Sequence, residues 1–75
     1  MSLQLLVAKA LRVATERHLG QGATPIICND IKRAVLADLA AQGHPLWHAA
    51  HRIRVEFIDG RHPNIVIPPE LLKLH

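Results

Sequence analysis

The chain has 75 residues, 49% of them hydrophobic and 20% charged, and nine Lys and Arg against six Asp and Glu give a net charge of +3. That length excludes a multidomain enzyme, and the apolar fraction excludes a disordered chain. Cys28 is the only cysteine, which excludes a disulfide scaffold; Lys9 and Arg12 interrupt the apolar run from Leu3 to Val7 too early for a signal or membrane-spanning segment.

These bounds predict one small domain over residues 1–75, in a reducing, cytoplasmic setting. Aromatic side chains are limited to Trp47 and Phe57, so the core must come from Leu, Ile, Val and Ala. Residues 2–19 read as an amphipathic helix: Leu3, Leu6, Val7, Ala10 and Ala14 recur at helical spacing, while Lys9, Arg12 and Glu16 fall opposite. Ser2 is the expected N-cap and Gly20 the expected stop.

A loop follows over Gly20–Pro25. The second helix has two possible starts: Thr24 as cap with Pro25 in the first helical position, or Asn29 as cap after a short extended Ile26–Ile27 piece. Either start buries Ile31, Val35 and Leu39, with Ala34 and Leu36 flanking them. Lys32, Arg33 and Asp38 then face outward, and Gly43 ends the helix.

Pro45 suits the start of a short third helix over residues 45–51, carrying Leu46, Trp47 and Ala50. Trp47 fits a core plug first and an interface anchor second. From Arg52 the period becomes two. Ile53, Val55 and Phe57 point one way and Arg54 and Glu56 the other. Asp59-Gly60 marks a turn, and Asn64–Ile67 reads as the returning strand, bracketed by Pro63 and Pro68 as suits an edge. Glu70 to Leu74 is a last helical turn or a docked tail. The predicted class is therefore α+β: two main helices and a short third packed on a C-terminal β-hairpin.

Two groups of residues could carry chemistry. His44, His48 and His51 stand at spacings that let imidazoles gather on one side of a short helix, where zinc, nickel or copper could bind, with His62 and Cys28 as further candidates. No paired Cys-x-x-Cys accompanies them, and ordinary solvated histidines are the simpler reading, so no metal or cofactor is assigned. The second group is basic: Arg52, Arg54 and Arg61 surround the hairpin and Lys32 and Arg33 lie on the second helix. With His48 and His51 on the short helix between them, these residues form a candidate nucleic-acid-contacting set. An ordinary charged surface, with Arg54 paired to Glu56 or Asp59, is the competing reading.

The helix-helix-helix-hairpin order resembles that of winged-helix DNA-binding domains. The resemblance implies that residues 45–51 are the recognition helix and that Arg54 to Asn64 form the wing. The segment is shorter than such a helix normally is, and it presents histidines where Arg, Asn and Gln make the best base contacts. Gly60-Arg61 followed by Ile65-Val66-Ile67-Pro68-Pro69-Glu70-Leu71-Leu72 resembles the first half of an AbrB-type swapped-hairpin domain. The second half of that unit is absent.

Catalysis has little support. Cys28 lies in an Ile-Ile-Cys context typical of a small buried hydrophobe, and no Gly-rich phosphate loop or suggestive carboxylate pair is present. No catalytic residue and no small-molecule substrate is assigned. The remaining candidate is a protein interface. Ile58 and Val66 occupy outward positions on neighbouring strands and are expected to form one apolar patch for a partner or a second copy, unless Leu71, Leu72 and Leu74 fold back over them.

Overall fold

The computed structural model describes residues 2–18, 20–22, 24–60 and 62–72. The order is α1 (Leu3–Glu16), α2 (Pro25–Ala41), a 3₁₀ helix (Trp47–Arg52), β1 (Arg54–Phe57), β2 (Pro63–Val66) and α3 (Pro69–Leu72). This is the α+β arrangement of helices followed by a hairpin that the patterning predicts.

The helix ends follow from local chemistry. Ser2 is extended, and its hydroxyl oxygen accepts from the Leu5 N–H at 3.2 Å. Thr24 does the same for Ile27 at 3.2 Å with Pro25 next in line, which decides between the two possible starts of α2. α1 ends at Glu16, short of the expected residue 19. There the chain tightens: the N–H groups of Arg17 and His18 bond three residues back, to Ala14 and Thr15. α2 ends in a Schellman motif. Gly43, at φ +88°, donates to Ala40, and His44 donates to Leu39 at 2.9 Å.

α1 and α2 pack together over one face of the hairpin, with α2 against β1 and α1 against β2. Leu3, Leu6, Val7, Ala10 and Ala14 of α1 meet Ile31, Val35, Leu36 and Leu39 of α2. Leu46, Ile53 and Leu71 close the core from below. Leu36, expected at the flank, is fully buried. Leu71 and Leu72 of α3 dock on this core, so the tail is both a short helix and a docked segment. Leu74 lies outside the described residues.

The third helix departs from expectation in type and phase. It is a 3₁₀ helix over 47–52 with a kink at Ala49, and Ala49 rather than Ala50 is its buried residue. In so short a turn, Leu46 and Ala49 take the inward side. Trp47 is pushed out and is 48% exposed, so it is not the core plug. The N–H of Ile53 is used by the Ala50 carbonyl, and β1 therefore starts one residue later, at Arg54.

The strands pair antiparallel with Arg54 opposite Val66, Val55 opposite Ile65, Glu56 opposite Asn64 and Phe57 opposite Pro63. Pro63 is inside the ladder instead of before it, and β2 runs 63–66 rather than 64–67. The Ile58 N–H to His62 carbonyl bond marks 58 and 62 as a hydrogen-bonded pair. Alternation makes 56/64 and 54/66 bonded pairs too, and leaves 57/63 unbonded. The missing N–H of Pro63 therefore falls on the side facing away from β1, where it breaks no bond. Among the described residues, no helix is long and apolar enough to cross a membrane.

Candidate nucleic-acid interface

The seven proposed contact residues have separate fates. Lys32, expected to face solvent, instead lies half-buried under the hairpin entrance. Its ammonium donates to the carbonyl oxygens of Ala50 at 2.9 Å and Ile53 at 3.1 Å. Those carbonyls sit where the 3₁₀ turn gives way to β1, and a long stem from α2 can reach them. The correction has a physical cause: α2 crosses directly beside residues 50–53, and the period of a helix does not show what it crosses.

Arg52 is exposed and pairs with Glu70 at the start of α3. The Glu70 carboxyl is held below its ordinary value, first by a hydrogen bond from its own backbone N–H and then by the Arg52 guanidinium. Arg33 and Arg54 are exposed and take part in no ion pair among the described residues. His48 and His51 are exposed on the 3₁₀ turn. Arg61 lies outside the described residues.

The two bonds from Lys32 bring α2, the 3₁₀ turn and the start of β1 to one junction. Lys32, remote in sequence from Arg52 and Arg54, therefore shares a neighbourhood with them and with the exposed His51. Beside it runs a shallow groove of about 260 Å³ lined by Pro25, Cys28, Asn29, Lys32, Ile53, Arg54 and Val55. Asn29, which lines this groove with Arg54, was not among the residues singled out from the sequence as a surface contact. The signal was present in the spacing of 25, 28, 29 and 32, which is one face of a helix once Thr24 is the cap.

Other Lys, Arg and His side chains lie elsewhere. Lys9 and Arg17 line a groove of about 350 Å³ between α1 and α2, across from Asp38. His18 and His62 line a cleft of about 540 Å³ together with Gly20, Gln21, Gly22 and Gly60. Each ring is held locally, His18 Nδ1 by the Gln21 side-chain oxygen at 2.7 Å and His62 Nδ1 by Asp59 at 2.8 Å.

Among the described residues, no three His, Cys, Asp or Glu side chains come together to hold a metal ion, so the His44, His48 and His51 spacing does not gather into a three-ligand site. Cys28 is half-buried.

Ile58 and Val66 do not form the expected single apolar patch. Both lie on the outward face, but the register puts Val66 opposite Arg54 and Ile58 beside His62, with Glu56 and Asn64 between them. Four residues of strand separate the two ends, about 13 Å. Ile58 stands alone at 76% exposure, while Val66 is half-buried.

No family model, curated protein or solved structure matches this chain.

Proposed function

We propose that the protein is a small, non-enzymatic nucleic-acid-binding protein that grips phosphates without reading bases. The observation that carries this reading is the junction made by Lys32, which sets Arg54 and the 3₁₀ turn beside α2 in a chain of net charge +3. Arg33 and Arg54 are its principal phosphate contacts; His48, His51 and Arg61 flank them. Arg52 contributes less because Glu70 offsets its charge. Lys32 acts as the positioning residue. Base reading is left out, because a six-residue 3₁₀ turn offers too little rigid length to enter a major groove. The lone Cys28 thiol fits a reducing compartment such as the cytoplasm.

Fluorescence anisotropy with mixed-sequence duplex DNA tests the proposal. The expected dissociation constant at physiological salt is in the non-specific range, about 10⁻⁴ to 10⁻⁶ M, and it tightens steeply as salt is lowered. Arg33→Ala with Arg54→Ala should shallow the salt dependence. Binding weaker than about 100 μM at low salt would end the proposal.

A second reading, a protein-interaction module working through the hairpin, is favoured by one specific observation: among the described residues β1 has a neighbouring strand on one side only.

A further inference from the structure

The two rims of the hairpin differ. Alternation of the bonded pairs turns the N–H and C=O groups of Arg54, Glu56 and Ile58 toward β2. Those of Val55 and Phe57 therefore point the other way. Among the described residues nothing accepts from or donates to them. On β2 the outer rim is blunted by Pro63, which has no N–H. β1 has no such guard: only its first outward carbonyl, that of Ile53, is occupied, by Lys32. An unpaired rim of this kind is a template for another strand.

We propose that the occupant is a second copy of this chain, joined β1 to β1 antiparallel about a two-fold axis through Val55. The charges on the outward face select this arrangement. Three registers bring the free Val55 groups opposite outward-pointing groups of the second copy. Pairing Val55 with Ile53 of the second copy sets Arg54 against Arg54. Pairing it with Phe57 sets Glu56 against Glu56. Pairing Val55 with Val55 sets each Arg54 against a Glu56, twice over by symmetry. Like charges directly opposite are unfavourable and opposite charges favourable, so one register remains.

In that register the two Val55 residues exchange two hydrogen bonds. Each Phe57 N–H reaches the Ile53 carbonyl of the second copy, which has a second lone pair beside the one Lys32 uses. The half-buried Val55 side chain lines a groove with Pro25, Cys28 and Asn29 of its own chain, so one such groove lies beside the seam in each copy. The result is a four-stranded sheet with helices on one face. This inference does not rest on the nucleic-acid reading, but the two share Arg54: facing Glu56 of a second copy would reduce its part in phosphate contact, as Glu70 does for Arg52.

Sedimentation equilibrium of the full chain from about 10 μM to 1 mM tests it, a range suited to a small, weak interface. The wild type should dimerise within that range. Val55→Pro removes an N–H that points away from β2, so it should leave a folded monomer. Arg54→Glu and Glu56→Arg should each weaken the dimer about tenfold, because each sets like charges opposite twice, and the double charge swap should restore it. A wild type monomeric up to about 1 mM overturns the proposal, as does a dimer unmoved by Val55→Pro. Should Val55→Pro fail to fold by circular dichroism, the exposed charge variants decide. Single variants that dimerise like the wild type overturn the register and, with it, the proposal.

Discussion

The Lys32 ammonium lies 2.9 Å from the carbonyl oxygen of Ala50, eighteen residues further along the chain, and ties the middle of α2 to the end of the 3₁₀ turn. One side chain thus adds a second bond to a carbonyl that already accepts from the Ile53 N–H, and it also serves the Ile53 carbonyl three residues on. Removing the ammonium strands the part-buried Ile53 carbonyl and leaves the Ala50 carbonyl with the Ile53 N–H alone.

Lys32→Met keeps the stem and deletes the donors. It should lower the unfolding free energy by about 1–3 kcal/mol, read as a fall in the urea midpoint with unchanged slope. An Arg33→Met control, altering an exposed neighbour, should stay within about 0.5 kcal/mol of wild type. If the two variants are equally mild, the junction is not held by Lys32.

Leu46 and Trp47 are adjacent and should respond in opposite measure to their size. Leu46 is 1% exposed, and Leu46→Ala should cost about 2–5 kcal/mol, enough to threaten folding of so small a domain. Trp47→Ala, at a position nearly half exposed, should cost less than Leu46→Ala. Thermal denaturation of the two variants gives the ranking directly.

The helix end at Gly43 separates backbone strain from space. A Cβ there meets nothing within 4 Å, but the backbone sits at φ +88°. Gly43→Ala should therefore destabilise by about 1 kcal/mol through conformation alone. Gly22 is equally open and has no left-handed φ. Gly22→Ala should stabilise by about 0.4–1 kcal/mol by restricting the unfolded chain. Urea titration of both should show shifts of opposite sign.

Glu70 gives the fold an acid limb. Its carboxyl is lowered from 4.5 in the folded protein, by its own backbone N–H and by Arg52. A lowered folded value means stability that is present above pH 4.5 and is lost as the pH falls through the folded value. Glu70→Gln should flatten that part of the stability–pH curve and leave its neutral part less affected. Thermal midpoints measured across the acid range check the sign; a variant curve parallel to wild type would show that Glu70 does not set it.

What could be read from the amino-acid order was mostly local. Ser2, the Thr24-Pro25 pair and Gly43 announce helix ends because capping depends on residues within one turn. The hairpin is legible because period two persists from Ile53 to Phe57 and Asp59-Gly60 closes it. Trp47 was misplaced because six residues carry too little periodicity to fix a phase. Lys32 was misplaced because its partners lie eighteen and twenty-one positions away, a distance at which helical periodicity says nothing. The split of Ile58 from Val66 followed from a register that patterning alone leaves free by two residues.

Pro63 also bears on how far the proposed pairing could extend. In the proposed dimer both β1 rims are occupied, so the exterior rims belong to the two β2 strands, where Pro63 has no N–H to offer and only Ile65 still points one outward. A third copy would therefore meet a single donor where β1 offers two, and growth is disfavoured beyond the pair.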